Sequence, residues 1–197
     1  MLQQILVWIS GNYIELLATV FGLFYILLSI KQNIWCWPAG LITSALYVYV
    51  FFGSKFYADM GLQVYYVFVS LYGWYHWKFG AKSKKQDDLK ISGINLKTAI
   101  ILMLVTAVLF VIIAYVLVNF TDSTVPYWDS FTTAASFVAT WMLARKIIEH
   151  WIIWIIVDAI SLGLYLFKGL YPTVILFGVY TVLAILGYIE WRRKLRT

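Results

Sequence analysis

The chain has 197 residues, of which 63% are apolar and only 12% are charged, and its mean hydropathy is +0.83. A water-soluble surface needs more charge than this, so the composition excludes a soluble globular protein and indicates a polytopic membrane protein. The single cysteine, Cys36, excludes disulfides within the chain and cysteine-based metal clusters. The first residues lack a basic region and a cleavage site, so we expect the first span to serve as the insertion signal.

Seven apolar segments are long enough to cross a bilayer, which takes about 20 helical residues. In chain order they cover residues 13–30, 34–52, 58–77, 97–119, 129–144, 151–167 and 173–191. Short polar breaks separate most of the spans, and one long loop lies between the third and the fourth. The sequence therefore predicts an all-α membrane protein with seven transmembrane helices and with its termini on opposite sides.

The positive charges are biased to one side of the predicted membrane. Thirteen of the 15 lysines and arginines fall on the side of the C-terminus, and only Lys55 and Lys168 fall on the other. By the positive-inside rule, we expect an outside N-terminus and a cytoplasmic C-terminus in a bacterial inner membrane. The same asymmetry explains the net charge of +6, so we expect no nucleic-acid partner.

The chain matches itself without gaps at a shift of 114 residues, which indicates an internal repeat. The paired residues are Glu15 and Asp129, Lys31 and Arg145, Trp37 and Trp151, Tyr57 and Tyr171, Tyr66 and Tyr180, Gly73 and Gly187, and Trp77 and Trp191. Repeat 1 covers about 13–77, repeat 2 about 129–191, and a connector helix about 97–119. We expect one transmembrane domain over 1–197 with a parallel 3+1+3 plan, as in transporters with a midplane site.

Asp158 is the deepest ionisable candidate, and a charge at bilayer depth needs a reason. It lies about 10 Å along the sixth span from Trp151 and shares a helical face with Trp151 and Trp154. A structural carboxyl and interfacial tryptophans are one interpretation, and a ligand contact is the other. Trp154 is harder to assign to the interface because it lies one turn deeper.

The third span carries a second polar stripe that includes Asp59, Gln63 and Tyr66 at helical spacing. Gln63 has a donor and an acceptor, which suit either an amide or hydroxyl ligand or a bond to another helix. Further ligand-binding candidates are Trp37, Tyr47, Trp141 and Tyr180. Glu15, Asp129 and Asp59 are candidates for gating or structural roles, although solvated helix starts explain the first two equally well.

The sequence contains no Walker-type phosphate loop, no HExxH and no GxSxG, so we expect neither an enzyme nor a cofactor. A retinal protein is excluded because the seventh span has no lysine for a Schiff base. Flat cations such as a pyridinium or a thiazolium are held by indole and phenol faces. The aromatic and acidic side chains within the spans therefore favour a transporter for such a cation.

Three stretches make the sequence similar to the PnuC family of vitamin transporters: KQNIWCWPAGLITSALYVYVFF, YADMGLQVYYVFVSLYGWYHW and RKIIEHWIIWIIVDAISLGLYLFKGLYPT. The resemblance implies a SWEET-like fold, a homotrimer in the lipid bilayer, and facilitated uptake of nicotinamide riboside with trapping by a cytoplasmic kinase. Related branches carry thiamine or riboflavin. The resemblance places Trp151, Trp154, Gln63 and Asp158 around the ligand, and it implies that an asparagine is common at the last of these positions.

Several functions remain open at this point. A uniporter for nicotinamide riboside is the first hypothesis, and a thiamine uniporter of the same family is the second. A proton-coupled symporter would use Asp158 or Asp59 as the proton-bearing group. An intramembrane enzyme or a structural scaffold is the alternative from another class, but the sequence shows no nucleophile paired with a base.

Overall fold

The computed structural model describes residues 2–53, 57–80, 89–167 and 171–196, without the side chains of residues 2–12, 15, 57–59 and 172. These residues form seven α-helices, which confirms the predicted all-α class. The helices are α1 (Leu2–Ile30), α2 (Cys36–Gly53), α3 (Tyr57–Phe79), α4 (Leu96–Phe120), α5 (Pro126–Ala144), α6 (His150–Phe167) and α7 (Tyr171–Arg196).

The helix boundaries differ most from the prediction at the two ends of the chain. Helix α1 begins at Leu2 rather than near residue 13, and α7 ends at Arg196 rather than near 191. Hydropathy identifies only the apolar part of a helix, and a helix can continue into polar sequence where side-chain pairs support it. In α7, Glu190 pairs with Arg193 at 2.8 Å and with Lys194 at 3.6 Å, one turn further on.

The helices differ in how apolar they are. Four described stretches are long and apolar enough to cross a membrane, namely Cys36–Gly53, Leu96–Phe120, His150–Phe167 and Thr173–Arg196. The apolar part of α1 is shorter, Leu16–Ile30. Helix α5 contains five serine or threonine residues, and α3 contains several polar side chains. Such helices must turn their polar side chains toward protein rather than toward lipid.

The first three helices form a compact unit over Met1–Asp88, in which α2 packs against both α1 and α3. Trp37, near the start of α2, lies edge-on to Trp77 near the end of α3, with ring centroids 5.4 Å apart. Gly73 permits this approach, because a Cβ at that position would lie only 2.4 Å from the Trp37 ring. A buried indole against the backbone of a glycine therefore joins α2 to α3.

The other four helices form a second compact unit over Leu89–Thr197, in which each helix packs against the next along the chain. Trp151 of α6 lies edge-on to Trp191 of α7, with ring centroids 5.8 Å apart. A Cβ at Gly187 would lie 2.7 Å from the Trp151 ring. The contact that joins α2 to α3 thus recurs between α6 and α7.

The turns α1–α2 and α5–α6 share an uncommon backbone conformation. Gln32 has a φ of 56°, and Lys146, which is 114 residues later, has a φ of 52°. The hydrogen bonds correspond as well: the Gln32 amide donates to the Ser29 carbonyl at 3.0 Å, and the Lys146 amide donates to that of Leu143 at 2.9 Å. Equivalent residues adopt the same left-handed conformation, which supports the predicted register of the repeat.

The segment that precedes α4 is fastened to the α5–α6 turn within the second unit. The Ser92 amide donates to the Lys146 carbonyl and the Ile148 amide donates to the Ser92 carbonyl, both at 3.0 Å. The Ile94 amide donates to Glu149 Oε2, also at 3.0 Å. Helix α4 then packs on α5 and leaves most of its apolar side chains exposed. This exposure suits the predicted connector helix that faces lipid.

Candidate ligand-binding site

Most buried hydroxyl groups of the helices are satisfied within their own helix. Four of them donate to the carbonyl four residues earlier at 2.6 to 2.7 Å, and these are Ser29, Ser130, Ser136 and Thr140. Ser44, Ser70 and Ser161 are also buried, but they form no hydrogen bond within the described part of the chain. Each of these hydroxyls can still donate and accept a hydrogen bond, so the three serines are candidate positions for a ligand contact.

Ser44 and Ser70 lie at the same depth in the first unit. Ser44 follows Trp37 by seven residues, and Ser70 precedes Trp77 by seven. Because the two indoles are in contact on helices that run in opposite directions, both serines lie about 10 Å from them along the axis. Ser70 Oγ would lie 3.3 Å from a Cβ at Gly40, so the hydroxyl of α3 reaches the backbone of α2. The first unit therefore has a polar layer in its interior.

The corresponding layer of the second unit holds Asp158. Asp158 follows Trp151 by seven residues, as Ser44 follows Trp37, and Ser161 lies on the same helical face. The side chain of Asp158 is 6% exposed and has neither a hydrogen bond nor an ion pair within the described residues. A buried carboxylate without a cation is costly, so a cationic ligand or a proton would stabilise it.

The two tryptophans of α6 have different surroundings. Trp151 is 4% exposed and packs between His150 and Trp191, with ring centroids 4.6 and 5.8 Å from its own. Trp154 is half-buried and has no ring contact among the described residues. These contacts favour a packing role for Trp151, as they do for its counterpart Trp37. Trp154 is therefore the better candidate of the two for stacking on a ligand.

Gln63 is a polar side chain of α3 that remains available for a ligand. It is half-buried and forms no hydrogen bond within the residues that the structure describes. Tyr66, one turn further along α3, packs against Tyr65 with ring centroids 5.8 Å apart. The Tyr47 hydroxyl lies 3.2 Å from Thr19 Oγ1, so it is engaged between α2 and α1. Gln63 therefore fits a ligand contact better than Tyr47 does.

Trp141 and Tyr180 are occupied by neighbours within their own helices. The guanidinium of Arg145 lies 5.6 Å from the Trp141 ring at the end of α5. Trp141 also packs on the buried cluster that contains Met142. Tyr180 lies edge-on to Phe177 at 5.8 Å. These contacts favour a packing role for Trp141 at the α5–α6 turn.

Asp129 has a local partner, because its Oδ2 accepts a hydrogen bond from Ser123 Oγ at 2.7 Å. The carboxylate lies in the first turn of α5, where the helix dipole favours a negative charge. Asp129 therefore stabilises the start of α5, which fits the structural alternative. The side chains of Glu15 and Asp59, the other two candidates for gating or structural roles, lie outside the described residues.

Sequence reasoning missed Tyr25 and Ser161. Tyr25 packs directly over Gly40, and its hydroxyl forms no hydrogen bond with the described residues. In so aromatic a chain, a tyrosine in an apolar span carries little signal. Gly40 was the available clue, because a glycine in mid-helix often marks a close approach. The clue to Ser161 was its position three residues after Asp158.

An apolar groove of about 440 Å³ lies between α4 and α5 of the second unit. Its lining includes Leu102, Thr106, Phe110, Val138 and Met142, and it contains none of the predicted ligand-binding residues that the structure describes. A site for a polar small molecule needs several converging polar groups to orient its ligand. The groove lacks such a set among the described residues, so it is not a candidate for the ligand site.

Known proteins are similar to this chain over most of its length. The model of a family described as nicotinamide mononucleotide transporter matches residues 12–193. The nicotinamide riboside transporter PnuC of Escherichia coli is 28% identical over 225 residues, which cover 98% of this chain and 94% of that protein. The riboflavin/roseoflavin transporter RibM of Streptomyces davaonensis is 25% identical over 186 residues, which cover 90% and 83%.

A solved structure supports the fold. The crystal structure of the vitamin B3 transporter PnuC matches with a TM-score of 0.76 at 22% sequence identity. The match covers 98% of this chain and 86% of that one. The family and this structural neighbour are transporters and not enzymes, as the sequence predicted.

Proposed function

Since the chain belongs to the PnuC family of vitamin transporters, whose model it matches over residues 12–193, we propose that it carries nicotinamide riboside across the membrane. The chain is a multi-pass membrane transporter of a vitamin, and the substrate is the part that we propose. Nicotinamide riboside combines a flat pyridinium cation, a carboxamide and a ribose. The flat cation has chemical counterparts in Asp158 and Trp154 of the second unit.

The observation that carries the proposal is the pairing of Asp158 with Trp154 on one face of α6. Asp158 is buried and has no cationic partner in the described part of the chain, and Trp154, four residues before it, is half-buried without a ring contact among the described residues. A desolvated cation over an indole gains about 1–2 kcal/mol. A flat cation stacked on Trp154 would also neutralise Asp158, so one ligand would satisfy both side chains.

Gln63 supports the proposal but does not choose among vitamins. Its amide can pair with the carboxamide of nicotinamide riboside, and it can pair equally well with the aminopyrimidine of thiamine. Riboflavin, which a relative carries by name, has no fixed positive charge. Asp158 therefore favours the two cations over riboflavin. Thiamine remains the second substrate candidate.

We propose facilitated diffusion as the mechanism, with a cytoplasmic kinase trapping the product. The sequence contains no phosphate-binding loop that could couple transport to nucleotide hydrolysis. The bias of lysine and arginine supports an outside N-terminus and a cytoplasmic C-terminus. The matched turns and tryptophan contacts support a 3+1+3 repeat within one transmembrane domain. A homotrimer in the bilayer stays an expectation from the family.

Proton coupling is a second candidate function, because the carboxyl of Asp158 has no fixed partner among the described residues and could carry a proton. Uptake into liposomes with and without an imposed pH gradient separates the two mechanisms. Facilitated diffusion predicts uptake that follows the substrate gradient alone. Strong acceleration by the pH gradient would establish the symporter instead.

The substrate is tested by calorimetric titration of the purified protein with nicotinamide riboside, thiamine and riboflavin. We expect nicotinamide riboside to bind most tightly. Asp158→Ala should weaken its binding about tenfold, which corresponds to about 1.4 kcal/mol. Asp129→Ala is the matched control, since Asp129 already has a partner in Ser123 and its loss should leave the affinity unchanged. Unchanged affinity in Asp158→Ala would contradict the proposed site.

A further inference from the structure

The apolar groove between α4 and α5 carries one charged group. Of the residues that line it, only Glu149 has an ionisable side chain. Thr106 is polar as well, but its hydroxyl donates to the Leu102 carbonyl at 2.8 Å within α4. Among the described residues, Glu149 is therefore the one charge that an occupant of the groove would meet.

The carboxylate of Glu149 is held in position but is not neutralised. Its Oε2 accepts a hydrogen bond from the Ile94 amide at 3.0 Å, and the side chain is half-buried. It forms no ion pair with any residue that the structure describes. The amide satisfies one acceptor position of the carboxylate and leaves its negative charge in place. Glu149 would therefore stabilise a cation that lies beside this apolar surface.

The carboxylate also lies at a membrane boundary. Glu149 directly precedes α6, α5 ends at Ala144, and α4 begins at Leu96. The apolar stretches Leu96–Phe120 and His150–Phe167 are long enough to cross a membrane. Because lipid headgroups lie at the ends of membrane-spanning helices, Glu149 is at the depth of the headgroups.

The length of the groove matches one leaflet of a bilayer. On α4 its lining runs from Ala99 to Phe110, and on α5 it runs from Met142 back to Phe131. At a rise of about 1.5 Å per residue, each of these stretches is about 16 Å long. The hydrocarbon core of a bilayer is about 30 Å thick, so one leaflet takes about half of that. The groove thus has the length that one acyl chain covers.

The groove is open toward the lipid. Met103 and Ala107 of its lining are exposed, as are most of the other apolar side chains of α4. We propose that the groove holds one acyl chain of a phospholipid with a primary ammonium headgroup, and that the ammonium binds Glu149. A primary ammonium donates to the carboxylate and has the opposite charge, whereas a quaternary ammonium has no N–H and an anionic headgroup is repelled. This inference does not depend on which vitamin the protein carries.

The headgroup contact is tested by reconstituting the full chain in phosphatidylglycerol vesicles with added phosphatidylethanolamine or phosphatidylcholine of the same acyl chains. Native mass spectrometry after extraction counts the lipids that the protein retains. We expect wild type to retain phosphatidylethanolamine about tenfold better than phosphatidylcholine, the size of one hydrogen bond to a charged group.

Two matched variants identify the carboxylate that selects the headgroup. Glu149→Gln should abolish the preference for phosphatidylethanolamine, because its side chain is neutral. The amide oxygen of the glutamine can still accept from the Ile94 amide, so the local fold is kept. Glu190→Gln is the control and should keep the preference, since Glu190 pairs with Arg193 and does not line the groove.

A third variant tests the contact with the acyl chain. Ala107→Phe places a ring in the groove and should lower the retention of both added lipids about tenfold. Ala107 is exposed, so the ring does not disturb the packed interior. Val108→Phe is the control, because Val108 is an exposed residue of α4 that does not line the groove. Thermal unfolding of each variant in detergent identifies any general loss of folding.

Each outcome supports or overturns the proposal. Equal retention of the two lipids by wild type, or an unchanged preference in Glu149→Gln, would overturn the headgroup assignment. Unchanged retention in Ala107→Phe would show that the acyl chain lies elsewhere. If Ala107→Phe instead changes the number of subunits in the native mass spectrum, a second copy of the chain covers the groove and the lipid assignment is wrong. The measurements contain no vitamin, so they are independent of the proposed function.

Discussion

The stretches α1–α3 and α5–α7 share a set of turn and tryptophan contacts, here called the frame, and they differ in the interior layer that holds Ser44 in one and Asp158 in the other. In each stretch, the turn between the first two helices contains a residue in the left-handed conformation. A tryptophan of the second helix also packs edge-on against a tryptophan of the third helix, where a glycine leaves room for its ring. About 10 Å further along the second helix, the first stretch has Ser44 and the second has Asp158. The contacts of the frame are geometrically exacting, whereas the layer differs in charge between the two stretches and is where we propose that the ligand binds.

Two differences between the repeats near that layer occur together. Where the first repeat has Gly40 and Tyr25, the second repeat has Trp154 and Ala139 at the equivalent positions. Each repeat thus has one large ring at this pair of equivalent positions, on α1 in the first repeat and on α6 in the second.

The largest expected effect is on stability, and it distinguishes Trp151, which belongs to the frame, from Trp154, which we propose contacts the ligand. Trp151→Ala should lower the free energy of unfolding by about 3–5 kcal/mol, because a buried indole is lost. Trp154→Ala should cost much less stability and should weaken binding of nicotinamide riboside about tenfold. Thermal unfolding and calorimetric titration measure the two effects. If Trp154→Ala costs more stability than Trp151→Ala and weakens binding less, the distinction between the two tryptophans is wrong.

The glycines of the frame come next. Gly73→Ala and Gly187→Ala should each destabilise the protein by about 1–3 kcal/mol, because the added methyl group meets a buried tryptophan ring. Gly61→Ala and Gly163→Ala are matched controls, since a Cβ at either position meets nothing within 4 Å. The controls gain the same helix propensity without the clash. A difference in sign between Gly73→Ala and Gly187→Ala would show that the two contacts are not equivalent.

The smallest effect concerns the two left-handed turns. Gln32→Gly should stabilise the protein by about 0.5–1 kcal/mol, because glycine adopts a φ of 56° without strain. Lys146→Gly should stabilise the protein less, because Lys146 is only 5% exposed and the packing of its aliphatic side-chain carbons would be lost. Gln32→Ala should bring no gain. Equal gains at both turns in thermal unfolding would show that the Lys146 stem contributes nothing.

Much of the fold was predictable from the sequence, because the hydropathy of a segment depends only on its own residues and indicates where a spanning helix lies. The starts of α2 to α7 lie within three residues of the predicted spans. The polar extension of α7 was not predicted, since the pairs of Glu190 with Arg193 and Lys194 carry no hydropathy signal. The site was predictable where a residue type is costly in a membrane, as Asp158 and Gln63 are.

Other parts of the site could not be predicted, because residue type alone does not distinguish a packed side chain from an available one. Trp151 and Trp154 look alike in the sequence, but only Trp151 has its ring covered by Trp191. Tyr47 and Tyr25 look alike as well, but only the Tyr47 hydroxyl has a partner in Thr19. These differences depend on residues tens of positions away.

The sequence by itself determined the membrane class, the seven helices, the register of 114 residues and the exceptional position of Asp158. Each of these follows from composition, periodicity or the cost of a charge in lipid, which a linear pattern records. Only the tertiary structure decided which aromatic rings belong to the frame and which hydroxyls lack a partner. Packing and hydrogen bonding are pairwise interactions between distant residues, so those decisions exist only after the helices have come together.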